Sequence, residues 1–163
     1  MSNFTKDCEL DHSKPTRNIQ ASVSQYKKRA LEYGDILLEK SGGGPKQPVG
    51  RVAFFDIEND LNNTFSNFTA RVRINDKSEL YERFLYFYLR FVYVTGETEK
   101  YQKNSTNIRN LQTKEYLNIQ LPIPPLEEQQ EIVTLLDAAF AKIDRAKINL
   151  ERNVANAREL LVD

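Results

Sequence analysis

The strongest constraint on the fold is a run of heptads near the end of the chain, from residue 126 to residue 161. Apolar residues recur there in steps of three and four, which aligns them along one face of an α-helix. In the heptad frame only Gln129 and Lys147 interrupt the apolar core positions. A stripe of this length is typical of a helix that packs against another helix. The predicted contact residues are Val133, Leu136, Phe140, Ile143, Lys147, Leu150, Val154, Ala157 and Leu161.

A double proline followed by acidic residues marks the start of this helix. Pro124 and Pro125 cannot continue a strand ladder. The acidic run EEQQE at 127–131 then places negative charge in the first turns, where the helix dipole favours it. Residues 124–163 are therefore predicted to form a spacer or dimerisation helix that begins directly after the prolines.

The apolar stripe could instead pack on the globular part of its own chain, as many amphipathic helices do. Its length argues against that arrangement, because five heptads span roughly 50 Å at 1.5 Å per residue. A domain of about 120 residues, with a radius of gyration near ~14 Å, cannot cover that length. Charged residues also flank the stripe on both sides. We therefore expect it to contact a second helix outside the domain.

Length and composition indicate one globular domain with an extended helix. The chain has 163 residues, of which 40% are hydrophobic, and this is enough for a core. Its single cysteine, Cys8, excludes an internal disulfide and fits a reducing compartment. No stretch approaches the ~18 consecutive apolar residues of a membrane span, and the polar N-terminus does not resemble a signal peptide. We expect a cytoplasmic protein without a membrane partner.

Charge is unevenly distributed, although the formal net charge is zero. Residues 1–125 carry 18 Lys and Arg against 15 Asp and Glu, whereas residues 126–163 carry 5 against 8. The basic residues also cluster, because residues 61–75 and 100–114 contain Lys or Arg but no acidic residue. Such patches can bind phosphates even when the chain as a whole is neutral.

The remaining patterns predict an α+β target-recognition-type domain with a twisted β-sheet and a helix, followed by the long coiled-coil-like helix. Residues 1–24 show no period and are interpreted as a weakly ordered lead-in, and residues 25–123 are assigned to the domain. A glycine-rich turn at 41–45 between two apolar runs predicts a hairpin. In chain order we predict a short helix at 26–31, strands at 36–38, 49–57 and 68–74, a helix at 79–94, a basic loop at 100–114 and a strand at 117–123.

Patterns that would indicate catalysis are weak. The glycine run at 42–44 lacks the spacing of a phosphate-binding P-loop. Asp35, Glu39 and Lys40 resemble the acidic pair and lysine of a metal nuclease, but adjacent strand residues point to opposite faces. The one histidine, His12, lies in the polar lead-in. The sequence therefore predicts a chain that is not an enzyme and that uses no cofactor or metal.

Two polar segments are candidates for DNA contact. The hairpin tip can bring backbone and lysines close to phosphates, although a solvent-exposed turn is the simpler interpretation. The basic loop carries arginine and asparagine, which pair bidentately with guanine and adenine, although it too can be a solvated connection. The predicted DNA-binding residues are Lys40, Ser41, Gly42, Gly43, Lys46, Gln47, Arg51, Lys103, Asn104, Thr106, Asn107 and Arg109.

Several short motifs together resemble one known family. The run LPIPPLEEQ at 121–129, which leads into the long helix, is similar to the hallmark of the specificity (S) subunits of type I restriction-modification enzymes. Looser matches precede it in the family's order: YGDILL at 33–38, SGG at 41–43, GRVA at 50–53 and LYFYLR at 85–90. The resemblance covers roughly residues 25–163 and depends most on the proline–LEEQ motif.

The resemblance implies a non-catalytic subunit that recognises double-stranded DNA. A full S subunit carries two recognition domains, each of which reads half of a bipartite site, and two long antiparallel helices that separate them. Those helices hold methyltransferase (M) subunits, which bind S-adenosylmethionine and modify adenine, and restriction (R) subunits join that core. Here one recognition region and one helix are present, as in a half-length or truncated subunit.

Two functional hypotheses follow from the resemblance. In the first, the chain recognises DNA and positions M and R subunits, and its helix pairs with a second copy or another S-type half in an isologous arrangement. Lys147 at a core position would then help to set the register of the pair. In the second, the chain is an assembly or regulatory module that binds M subunits, or another S-type chain, through its helix without reading DNA.

Overall fold

The chain folds into two small β-sheets, a helix that packs on them and a long C-terminal helix, in a computed structural model that describes residues 3–44, 47–59, 61–105 and 108–159. This mixed α+β architecture confirms the predicted fold class. In chain order the elements are α1 (Val23–Arg29), β1 (Ile36–Glu39), β2 (Ser41–Gly43), β3 (Val52–Phe54), β4 (Thr69–Val72), α2 (Glu82–Val94), a 3-10 helix (Glu97–Tyr101), β5 (Gln102–Ser105), β6 (Ile108–Leu111), α3 (Thr113–Tyr116) and α4 (Leu126–Glu159).

Both sheets are antiparallel and have three strands each, in the orders β3-β1-β4 and β2-β6-β5. In the first sheet Leu38 lies opposite Val52 on one side and Ala70 on the other. Only Lys40 separates β1 from β2, so a single stretch of chain enters both sheets in succession. The predicted hairpin is confirmed as the β1–β3 pair, and the predicted strand at 68–74 as β4.

The core lies between the first sheet and α2. Each residue of β1 is buried, because the strand is central in its sheet, and Ile36 and Leu38 share a core cluster with residues of α2. α2 contributes an apolar face whose buried members include Phe84, Phe87 and Leu89. Gly96, with φ of 80°, adopts the left-handed conformation that ends this helix, as its position predicts.

The N-terminal segment is more structured than the sequence indicates. Cys8 is fully buried and Phe4 nearly so, and Phe4 forms a bridge with Leu10. The Tyr86 hydroxyl donates a hydrogen bond of 3.0 Å to the Cys8 carbonyl oxygen, which fixes this segment against α2. The segment has no helix or strand period because turns and single bridges build it, and pattern analysis does not detect such structure.

Two predictions in the second half of the domain are wrong. The predicted loop at 100–114 contains the end of the 3-10 helix, the paired strands β5 and β6, and the first residues of the short helix α3. The predicted strand at 117–123 is irregular instead, although it leads directly into α4. Pro122 and the proline pair that follows remove backbone donors, and without a paired neighbour an apolar run does not become a strand. Helices in the described part of the chain are not long and apolar enough to cross a membrane.

Candidate nucleic-acid interface and helix interface

The two predicted DNA-contact segments meet in one sheet. Strand β2, from the glycine-rich hairpin tip, pairs with β6, from the predicted basic loop. Ser41 lies opposite Asn110, and the Ser41 hydroxyl donates to Asn110 Oδ1 over 2.6 Å. The Leu111 amide donates to the Lys40 carbonyl oxygen over 2.8 Å. Residues that are distant in sequence thereby form one polar sheet, which we name the recognition sheet (β2, β6 and β5).

Polar and cationic groups on the recognition sheet are accessible. Lys103 and Gly42 are exposed, and Lys40, Ser41 and Arg109 are half-buried. Lys40 and Lys103 form no ion pair with acidic residues in the part of the chain that the structure describes. Their positive charges are therefore available to a phosphate backbone.

Arg109 is held in position rather than extended into solvent. Its Nη1 atom lies 3.3 Å from Glu99 Oε2 of the 3-10 helix. Its β-carbon lies 3.4 Å from the position that a β-carbon at Gly43 would occupy. A guanidinium placed in this way can exchange an exposed carboxylate for a phosphate or a base edge when DNA approaches.

Two glycines shape the hairpin tip for different reasons. Gly42 has a φ of 102°, which side chains other than glycine rarely adopt. Gly43 is buried, and a β-carbon there would lie 2.5 Å from the Gln47 carbonyl oxygen and 2.8 Å from Val49 Cγ1. Gly43 therefore allows Gln47 and Val49 to lie close to β2, and the Gln47 side chain is exposed.

Arg51 was predicted to contact DNA, but it lies in a buried ion pair inside the domain. Its Nε and Nη2 atoms lie 2.8 and 2.9 Å from the two carboxylate oxygens of Glu39, which is fully buried. The hydrogen bonds to Glu39 raise the pKa of Arg51. This buried bidentate pair ties β1 to the segment before β3, and breaking it would leave a charge without its partner. Arg51 is therefore not part of the proposed DNA-binding surface.

Four other predicted residues cannot be placed in full. Lys46, Thr106 and Asn107 lie outside the described residues. Only the backbone of Asn104 is described, in β5 opposite Arg109.

The N-terminal half of α4 packs on the chain's own domain, contrary to the expectation that its stripe contacts an outside helix. Val133 is buried, and Leu136 and Phe140 pack against the core. The rings of Phe140 and Phe87 stack in parallel with centroids 5.7 Å apart, and the Arg90 guanidinium lies 4.0 Å from the Phe140 centroid. This end of the stripe therefore forms part of the domain core.

Gln129 connects elements of the fold, although the heptad pattern presents it only as an interruption. It is fully buried, and its Oε1 accepts a hydrogen bond of 2.9 Å from the Tyr81 amide. Its Nε2 donates to the carbonyl oxygens of Glu79 (2.7 Å) and Pro124 (2.8 Å). One side chain thus connects α4 to the start of α2 and to the proline pair that precedes α4. The sequence signal for this role is a single polar residue at a core heptad position, since such residues often set the register of packed helices.

An ion pair reinforces the same contact between α2 and α4. Arg83 reaches Asp137 through two nitrogens, with Nη2 at 2.6 Å from Oδ1 and Nε at 2.9 Å from Oδ2. The hydrogen bonds that Arg83 donates to Asp137 raise the pKa of Arg83. Both side chains are about one-third exposed, so the pair fixes orientation more than it adds stability.

The C-terminal half of α4 extends away from the domain with its apolar stripe uncovered. Ile143, Leu150 and Val154 are 47%, 65% and 44% exposed. Lys147 makes the last contact to the domain, an ion pair of 3.2 Å with Asp7 in which both side chains are more than half exposed. Ala157 is also exposed, and Leu161 lies outside the described residues.

A groove of about 710 Å³ lies where the two halves of α4 meet. α2 forms one wall, which includes Phe91 and Val94, and these side chains are 60% and 68% exposed. α4 forms the other wall, from Ile132 to Lys147. An apolar groove that continues into an uncovered apolar stripe is suited to bind another helix.

A comparison with known protein families supports the resemblance. A family model described as the type I restriction modification DNA specificity domain matches residues 9–152. The matched range contains the recognition sheet, α2, the Gln129 connection and most of α4.

Proposed function

The chain belongs to the type I restriction modification DNA specificity domain family, and on that premise we propose that it recognises DNA through its recognition sheet. In this proposal the chain supplies sequence recognition without catalysis, and α4 spaces and holds the other subunits. The pairing of β2 with β6 is the observation that carries the proposal, because it brings both polar segments into one sheet.

The chemistry of the recognition sheet supports base and phosphate contact. Arg109 belongs to the residue types that read guanine edges, and Asn110 lies on the opposite face of β6. Lys40 and Lys103 carry charges that can neutralise phosphates and fix the register of the duplex. A single small sheet reads only a few base pairs, which is consistent with one half of a bipartite site.

The arrangement of the carboxylates supports a non-catalytic role. Asp35 lies 2.6 Å from Arg73 Nε, and Glu39 is bound to Arg51. Both acids that resembled a nuclease pair are therefore engaged in ion pairs. The described residues also contain no group of three or more His, Cys, Asp and Glu side chains that could hold a metal ion.

The uncovered half of α4 supports a helical partner, which we propose to be a second copy of the chain or another S-type half. An antiparallel pairing that places bulky Phe140 opposite the small Ala157 of a second copy fits the heptads on both sides. The same register pairs Ile143 with Val154 and Lys147 with Leu150. It would lay the C-terminal half of each α4 in the groove of its partner.

M and R subunits are the further partners we propose, with α4 as the surface that positions them. This proposal follows from the family and from the exposed length of α4, which has 34 residues and spans about 50 Å. Because those subunits act on chromosomal DNA, we also propose a cytoplasmic location.

A mobility-shift series tests DNA recognition. The full chain, with and without an M subunit, is mixed with a random-sequence duplex library over a range of salt concentrations, and bound duplexes are sequenced. Recovery of a common short sequence supports the proposal. Lys103→Ala should lower the salt slope by about one, whereas Lys114→Ala on α3 should leave it unchanged.

The assembly hypothesis predicts another result in the same series. An exposed apolar stripe favours it, because helix pairing does not need DNA. Stable capture of the M subunit with no shift of any duplex, alone or in the complex, would contradict DNA recognition and support the assembly role.

A further inference from the structure

A second basic surface lies beside the recognition sheet, where α1 meets β4. The last turn of α1 contains Lys27, Lys28 and Arg29. Arg29 Nη2 donates to Asn67 Oδ1, and Arg71 Nη1 of β4 donates to the carbonyl oxygen of Ala30. These contacts join the helix to the edge strand of the first sheet. We name the surface formed by Lys27, Lys28, Arg29, Asn67, Phe68 and Arg71 the α1–β4 surface.

The positive charges of the α1–β4 surface face neutral partners. Arg29 and Arg71 donate to an amide oxygen and a carbonyl oxygen, respectively. Lys27 and Lys28 are exposed and form no ion pair with the acidic residues that the structure describes. Five arginines elsewhere in the domain differ, because Arg51, Arg73, Arg83, Arg90 and Arg109 pair with carboxylates. Asp35 and Glu32 lie nearby but pair with Arg73. The four basic side chains of the surface therefore have no carboxylate partner among the described residues.

Helix stability explains only part of this arrangement. Cations in the last turn of a helix interact favourably with its dipole, which accounts for three basic residues at the end of α1. The dipole does not account for Arg71 on a neighbouring strand. It also does not account for Phe68, whose ring is 53% exposed between the basic groups and the recognition sheet. An exposed aromatic ring beside uncompensated cations is a common feature of nucleic-acid-binding surfaces.

The α1–β4 surface is continuous with the recognition sheet through Lys40. The Lys40 amide donates to the Phe68 carbonyl oxygen over 2.9 Å, and its carbonyl oxygen accepts from Leu111 of β6. Adjacent strands lie about 4.8 Å apart, so Phe68 and β6 flank Lys40 within roughly 10 Å. A duplex that contacts β6 would therefore also reach Phe68 and the end of α1.

We propose that the α1–β4 surface binds the sugar-phosphate backbone of the duplex whose bases the recognition sheet reads. This inference rests on the proposed function. Lys27, Lys28 and Arg71 would neutralise phosphates, and Phe68 would pack against a deoxyribose. The contact would be independent of sequence and would fix the register of the domain on DNA.

The salt dependence of binding tests this proposal. Fluorescence anisotropy with a mixed-sequence duplex of about 40 bp is measured over a salt series, using the full chain in the complex with its M subunit. The doubly substituted chain Lys27→Ala/Lys28→Ala should lower the slope of log K against log salt by about two, because each phosphate contact contributes about 0.9. Both substitutions are on an exposed helix and favour helix formation.

Matched controls separate a local contact from a change in net charge. Lys142→Ala/Arg145→Ala removes the same charge from the exposed face of α4 and should leave the slope unchanged. Phe68→Ala should weaken binding about fivefold without a change in slope, because an apolar contact releases no counterions. Leu117→Ala, which removes a similarly exposed apolar side chain next to α3, should have no effect on DNA binding.

The outcomes distinguish this inference from the proposed function. A wild-type complex that binds no duplex would overturn both. If the wild type binds and the α1 and α4 double substitutions give equal slopes, only the proposed role of the α1–β4 surface is overturned. Loss of M-subunit capture with an unchanged DNA slope would assign the surface to a protein partner and overturn this proposal as well.

Discussion

The two halves of α4 share one heptad pattern but differ in what surrounds them. The first half places Val133, Leu136 and Phe140 against the domain, whereas the second half leaves Leu150 and Val154 in solvent. The apolar spacing is the same in both halves. Periodicity therefore defines an apolar face but does not identify the surface that covers it. α2 decides the difference, because it lies beside the first half and ends before the second.

Gln129→Ala should produce the largest loss of stability, because it removes the polar connection of the covered half. The substitution deletes one hydrogen-bond acceptor and two donated bonds, and leaves three backbone groups without this partner. We expect the free energy of unfolding to fall by about 3 kcal/mol. Urea denaturation monitored by circular dichroism measures it. A loss below about 1 kcal/mol would show that water replaces the amide and that the connection is weak.

Alkaline pH should produce the second largest loss of stability, through Tyr86 of α2. Burial raises the pKa of Tyr86 from 10.0 to about 12. Between these values the unfolded chain has released a proton that the folded chain retains, so the contribution of Tyr86 is complete below pH 10 and is lost as pH rises toward 12. The resulting decrease in the free energy of unfolding is about 2 kcal/mol.

Tyr86→Phe is the control for this decrease. It lacks the titrating group, so its stability should fall less steeply than that of the wild type over the same pH window. Denaturation at a series of pH values compares the two proteins, and parallel curves would show that Tyr86 does not carry the effect.

The ion pair between Arg83 and Asp137 should have a smaller effect on the covered half. Each side chain is about one-third exposed, so solvent screens the pair and the coupling should be about 0.5–1 kcal/mol. A double-mutant cycle with Arg83→Gln and Asp137→Asn isolates it. Coupling near zero, with unfolding free energies unchanged in both single variants, would leave Gln129 as the principal connection between the helices.

Substitutions in the uncovered half should have the smallest effect on the stability of the isolated chain. Leu150→Ala with Val154→Ala removes side chains that are already 65% and 44% exposed, so unfolding at low protein concentration should change by less than about 0.5 kcal/mol. The same change should weaken self-association, which sedimentation velocity measures over a concentration series.

The matched variant for that experiment is Leu135→Ala, which removes an exposed leucine from outside the stripe. It should leave self-association unchanged. If both variants associate as the wild type does, the proposed pairing of two stripes is wrong.

Local patterns predicted those parts of the fold in which one element's own period determines its structure. The helix α4 begins at Leu126, directly after the double proline as predicted, and α2 and β4 follow their apolar spacing. The recognition sheet was not predicted as a sheet, because its strands are short, polar and far apart in sequence. Ser41 and Asn110 are 69 positions apart, and pairing over that distance leaves no local signal.

The candidate site shows the same division. Composition identified the basic and hydrogen-bonding residues at 40–47 and 103–109, but it could not distinguish Arg51 from them. Arg51 is a basic residue next to a glycine, like others in the segment, yet its guanidinium turns inward to Glu39. Only the fold places a buried carboxylate within reach, so only the fold separates a structural arginine from one that can meet DNA.

The sequence by itself determined that the chain carries a long helix with one apolar face, a proline–LEEQ lead into it and an excess of positive charge outside it. These properties are local, since helix period, proline geometry and net charge need no distant contact. Tertiary structure decided which half of the helix is covered, that Gln129 connects it to α2, and that two polar segments join in one sheet. Burial and strand pairing depend on which elements meet in space, and residues distant along the chain set that arrangement.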